Sequence, residues 1–266
     1  MNLTAPRERL IVTLVGAVAG FFGGLFGVGG GLVLVPLLAG RLRFTQHQAH
    51  GTSLAVVLFT ALSGGVVYAL HANVDWVTGA SVGLASIFTA PLGAWLATRL
   101  SNPGLKRAFS IFLIFVGVRL FWMPHGTALV PVAGAARFAV DLAIGAVVGV
   151  LAGFMGVGGG ILAVPAFTLL LGMPQQLAQG TSLLVVLGAA GSGAIAHTRR
   201  GNVIWTPVPW LALGAVIAGP LASWWVQRLP QMLLVRGFAV FLCVNGVYGW
   251  LRTSRTEPGP PATPAR

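Results

Sequence analysis

Long apolar runs separated by short polar connections fill most of this chain. Apolar residues dominate positions 10–40, 51–70, 76–98 and 105–122, and again 138–172, 180–196, 204–226 and 233–251. Stretches of this length and apolarity are what a helix needs to cross the hydrocarbon core of a bilayer. The pattern therefore predicts an all-α polytopic membrane protein. The first run of each set is too long for one crossing: 31 helical residues would extend about 46 Å, against a core of about 30 Å. Each of these two runs carries a glycine cluster, Gly27-Val28-Gly29-Gly30-Gly31 and Gly156-Val157-Gly158-Gly159-Gly160, followed five residues on by Pro36 or Pro165. Three consecutive glycines ahead of a proline unwind a helix. Each long run is thus expected to break and fold back as a hairpin.

The second set of runs is a copy of the first. A shift of 129 positions overlays them without a gap, and 9 of 17 positions are identical between residues 20–36 and 149–165. Ala49–Val57 (AHGTSLAVV) returns as Ala178–Val186 (AQGTSLLVV), identical at 7 of 9 positions. A repeat this long marks a duplicated structural unit. The expected organisation is a first repeat over residues 1–122, a linker over 123–137, a second repeat over 138–251 and a disordered Pro-rich tail over 252–266. Each repeat is a glycine-broken helical hairpin plus three transmembrane helices.

Charge distinguishes two topologies. If the glycine-broken runs each cross once, the 16 Lys and Arg residues divide nine against seven, with no bias. If each returns as a hairpin, twelve fall on one side and only Arg119, Arg137, Arg228 and Arg236 on the other. The second distribution is the one the positive-inside rule expects, with the C-terminus cytoplasmic. Three full crossings and a hairpin leave each half ending opposite its start, so the second repeat is expected to be inserted upside down, as in many secondary transporters.

Composition supports the membrane reading and removes others. The chain is 56% hydrophobic and 8% charged, with a mean hydropathy of +0.88, whereas a soluble domain carries roughly 25% charged residues. The net charge of +12 comes from cations that punctuate the ends of apolar runs, so no nucleic-acid partner is expected; the bilayer is the partner. One cysteine, Cys243, rules out an intrachain disulfide. The glycine cluster superficially matches a dinucleotide fingerprint but has no βαβ unit to hold it. His47 and His50 lack a third ligand, so no metal or other cofactor is expected, and no hydrolytic triad suggests an enzyme. His71 and His197 fall at span ends and read as interfacial. Trp76, Trp122, Trp205, Trp210 and Trp250 read as aromatic-belt anchors.

Broken helices inside lipid expose main-chain polar groups, each several kcal/mol out of place unless protein or a wet cavity satisfies them. Helices starting after Gly29, Gly30, Gly31 and after Gly158, Gly159, Gly160 would aim free N–H groups and a positive dipole end inward. A second pair of helix starts is expected at Gly51-Thr52-Ser53 and Gly180-Thr181-Ser182, where hydroxyls could cap or donate. His50 and Gln179 occupy one shared position just before these motifs. Four such N-termini would make an anion site without a fixed cation. Only four Asp and Glu residues exist, and a metal-cation carrier would need carboxylates at mid-membrane.

The doubled "GVGGG…VP" and "GTSL" motifs resemble the TauE/SafE family of sulfite exporters, also called the toluene-sulfonate uptake permease family, over about residues 10–251. The resemblance implies a bacterial inner-membrane secondary transporter of small anions: sulfite, organosulfonates or carboxylates. It also implies that Gly29, Gly30, Gly31, Thr52 and Ser53, with Gly158, Gly159, Gly160, Thr181 and Ser182, carry the site. A passive anion channel and a non-transporting scaffold subunit are the alternatives, and a homo-oligomer is compatible with the sequence.

Overall fold

The computed structural model describes residues 5–99, 103–122 and 134–255, and among them there is helix and no strand. The helices are α1 (Pro6–Phe26), α2 (Gly31–Gly40), α3 (Gln46–Leu70), α4 (Trp76–Arg99), α5 (Pro103–Trp122), α6 (Gly134–Met155), α7 (Gly160–Pro165), α8 (Gln175–Arg199), α9 (Val208–Val226) and α10 (Gln231–Arg255). A π-helical turn, Ala166–Leu170, continues α7. Pro165 lacks an N–H, and Thr168 Oγ1 donates to the carbonyl oxygens of Val164 and Pro165 where the ladder is disturbed.

Among the described residues, seven helices are long and apolar enough to cross a membrane: α1, α3, α4, α6, α8, α9 and α10. The expected span at 105–122 is helical as α5, but Lys106, Arg107 and Arg119 keep it outside that set. Most of the expected linker and all of the tail beyond Arg255 lie outside the described residues. Gly134–Arg137 begin α6 instead of ending the linker.

The chain divides into two compact units. In the larger, α3 and α8 are the most enclosed helices. They run in opposite directions: Gly51 near the start of α3 lies against His197 near the end of α8, and Gly180 near the start of α8 lies against Tyr68 near the end of α3. Around them α1 packs on α9 and α6 packs on α4. Both of these contacts use a ridge of glycines spaced four apart, because in lipid small residues let backbones approach and gain dispersion energy. Gly16, Gly20 and Gly24 of α1 meet Leu211, Ala215 and Gly219; Gly145, Gly149 and Gly153 of α6 meet Val82, Ser86 and Ala90. All six pairs are related by the 129-residue shift. In the smaller unit α5 and α10 pack through Gly117 and Gly246, with Gly117 against Cys243 and Ala239, and Arg236 over the ring of Phe121.

Candidate paired-break site

Helix α1 stops because Gly27 adopts φ +68° and closes its N–H onto the Gly23 carbonyl. Gly29 (φ +73°) and Gly30 (φ +85°) hold the backbone in the left-handed region before α2 begins at Gly31. The second break repeats this with Gly156 (φ +68°), Gly158 (φ +85°) and Gly159 (φ +83°) between α6 and α7. The amides of Gly29, Gly30 and Gly31, and of Gly158, Gly159 and Gly160, find no acceptor among the described residues. Donors of this kind, buried with their residues, are available to an anion.

The two breaks come together in the larger unit. A methyl group on Gly31 would lie 2.6 Å from Val157 Cα, and one on Gly160 2.6 Å from Val28 Cα, so each break crosses directly over the other. Gly29 and Gly158 both lie against the same two side chains, Val57 of α3 and Val186 of α8. Each valine is the twelfth residue of a 25-residue helix, which sets the crossing at the middle of both.

Flanking this centre, Gly27 packs against Gln179 and Gly156 against His50. Ser182 Oγ donates to the Gly27 carbonyl at 3.0 Å. Ser53, its counterpart 129 positions earlier, is fully buried and has no hydrogen-bond partner among the described residues. Tyr68 contributes a hydroxyl between the Gly24 carbonyl (2.9 Å) and Gln179 Oε1 (3.1 Å), which leaves Gln179 Nε2 buried with nothing to donate to. His197 occupies the position equivalent to Tyr68 and donates from Nε2 to the Gly153 carbonyl at 3.0 Å. The two ends of the site therefore differ chemically, phenol and amide at one, two imidazoles at the other.

Three expectations change. Gly51-Thr52-Ser53 and Gly180-Thr181-Ser182 are not helix starts: α3 begins five residues earlier, where Thr45 and Gln48 form a reciprocal capping box, and α8 begins after Pro174. The two threonine hydroxyls are not aimed at the breaks either. Thr52 Oγ1 accepts from the Ile204 N–H (3.0 Å) and Thr181 Oγ1 from the Asp75 N–H (2.9 Å), pinning the turn ahead of each following helix to the opposite half. His197 is completely buried, not interfacial, because α6 covers it. Trp76, Trp122, Trp205 and Trp250 are exposed, whereas Trp210 is half-buried with the Arg9 guanidinium 5.1 Å above its ring.

Asp75 and Asp141 belong to one network. Arg137 pairs with the buried Asp141 at 3.0 Å and donates to Thr78 Oγ1, which donates to Asp75 Oδ2; the Asp75 N–H then reaches Thr181. Among the described residues no three His, Cys, Asp or Glu side chains gather as metal ligands would.

Helices of spanning length, broken in pairs and meeting midway along two antiparallel neighbours, define a polytopic membrane protein. The chain belongs to the sulfite exporter TauE/SafE family, which it matches over residues 12–249, and it is a membrane transporter of that type. It is 28% identical over 260 residues to the probable membrane transporter protein YunE of Bacillus subtilis, covering 89% of this chain and 95% of the relative. A probable membrane transporter protein of Xylella fastidiosa is 28% identical over 250 residues, 91% of this chain and 95% of its own. Sulfite exporter TauE/SafE family protein 6 of Arabidopsis thaliana is 30% identical over 114 residues, 43% of this chain and 26% of its own. No solved structure matches.

Proposed function

We propose that this chain is a secondary transporter of small anions such as sulfite, organosulfonates or carboxylates, binding them between the two glycine breaks. One observation carries the reading: glycine amides without acceptors, from both breaks, converge midway along α3 and α8. In a bilayer such donors are several kcal/mol too costly to leave idle, and a negatively charged solute is the ligand they suit. Ser53 and Gln179 Nε2 supply further unused donors nearby. Main-chain and neutral donors attract an anion yet release it, which a fixed arginine would resist.

The two halves act as inverted repeats, each with its glycine-broken segment returning to the side it entered. The antiparallel course of α3 and α8 and the twelve-to-four cation bias support this arrangement. The protein sits in a bacterial cell membrane with its C-terminus in the cytoplasm, and alternating access proceeds by one half rocking against the other. Uptake of labelled sulfite, sulfoacetate and small carboxylates into proteoliposomes tests the proposal. Saturable flux of at least one is expected, together with an upward shift in thermal unfolding on adding it. Absence of both for every anion would remove the reading, and non-saturable flux would favour a channel.

A further inference from the structure

We propose that Val57 and Val186 form an apolar neck that seals the passage between the two breaks and limits the size of solute that crosses it; this rests on the breaks being the transport site. Four residues from four different segments converge on one point. A methyl group on Gly29 would lie 2.7 Å from Val57 Cγ1 and 2.9 Å from Val186 Cγ1; one on Gly158 would lie 2.7 Å and 3.1 Å from the same two carbons. Both valines are wholly inaccessible to solvent. Nothing larger than a hydrogen atom fits between the breaks and these methyls, so a solute passing through has to part them.

The neighbouring residues are arranged as a neck requires. Ser53 precedes Val57 by four positions and Ser182 precedes Val186 by four, so each helix sets a hydroxyl one turn from its valine on the same face. Because α3 and α8 are antiparallel, the two serines lie on opposite sides of the valine pair. Beyond Ser182 stand Gln179 and Tyr68; beyond Ser53 stand His50 and His197. A polar approach therefore leads from each side to a two-valine constriction. Apolar constrictions of this kind close by excluding water and ions until their walls separate.

The test is flux through purified protein in liposomes, with chloride as a leak probe and sulfite and 4-toluenesulfonate as small and large anions. The paired change Val57→Ala with Val186→Ala should raise chloride leak at least tenfold and raise the flux of the larger sulfonate relative to sulfite. Val57→Ile with Val186→Ile should slow sulfite at least tenfold. Should the alanine pair fail to fold, Val57→Thr keeps the shape, makes the seal polar and should still leak. Folded alanine and isoleucine pairs that carry all three anions at the wild-type rate would overturn the neck while leaving transport intact. A wild type that carries none of them, with an alanine pair equally tight, would overturn both.

Discussion

Gly30 and Gly159 occupy equivalent positions, yet replacing each with alanine should have unequal effects. Both sit at φ near +84°, where a Cβ costs about 1–2 kcal/mol. The surroundings then separate them. A methyl on Gly30 runs into the main-chain carbonyl of Ala19 in α1, which cannot move without shifting a helix locked onto α9. Forcing backbone apart in this way adds about 1–3 kcal/mol, for a total of about 2–5 kcal/mol. A methyl on Gly159 meets side chains first, Val148 Cγ1 at 2.7 Å and Ala152 Cβ at 3.1 Å, and the Val148 carbonyl oxygen only at 3.3 Å. Val148 can give by a few tenths of an ångström, so the added penalty is about 1 kcal/mol or less. Gly159→Ala should therefore retain about 1–2 kcal/mol more stability than Gly30→Ala at the middle of these ranges, a difference of about 5–30-fold in folded population. Heating each variant in detergent and measuring the monomer that survives size-exclusion chromatography ranks them. An equal loss, or a greater loss for Gly159→Ala, would mean the packing described around the breaks is wrong.

Other expectations follow from individual contacts. Ser182→Ala should destabilise by about 1 kcal/mol through loss of its bond to Gly27, whereas Ser53→Ala should leave stability nearly unchanged and impair anion flux; thermal unfolding beside transport assays separates them, and equal stability losses would count against a ligand role for Ser53. Thr52→Val and Thr181→Val should each lower stability by about 1 kcal/mol by stripping an acceptor from Ile204 or Asp75, with additive effects in the double variant. Asp141→Asn should weaken the fold by about 1–3 kcal/mol because it leaves the Arg137 charge poorly compensated; simultaneous Arg137→Gln should recover part of that, and no recovery would argue against the pair. In a Cys243→Ser background, cysteines at the exposed Arg43 and Pro174 positions should label from opposite faces in oriented vesicles; labelling from one face would reject the inverted arrangement.

Local rules made part of this molecule legible. Glycine clusters followed by proline mark the positions where α1 and α6 end, since no other residue type relaxes the helix so cheaply, and run lengths mark most spans. What local rules missed depends on partners far away in the chain. The GTSL motifs look like helix starts because Gly-Thr-Ser is a good cap, but Thr45 outcompetes them with a capping box and Pro174 starts α8 on its own. Thr52 and Thr181 find their partners 152 and 106 residues away, a distance no periodicity reveals. The pairing of Tyr68 with His197 could have been found by asking what the 129-residue shift does to buried polar residues, because both serve equivalent glycine carbonyls. Val57 and Val186 carried no signal at all: a valine inside an apolar run looks like any other until the backbone opposite it is known.

The reciprocal docking of α1 on α9 and of α6 on α4 has a consequence for biogenesis. When α1 leaves the ribosome its glycine flank has no permanent resting place, and none exists until Val208–Val226 has been synthesised and inserted. The early helices must be sheltered by lipid or an insertase during that wait. Severed halves should each be degraded when made alone and survive only when produced together.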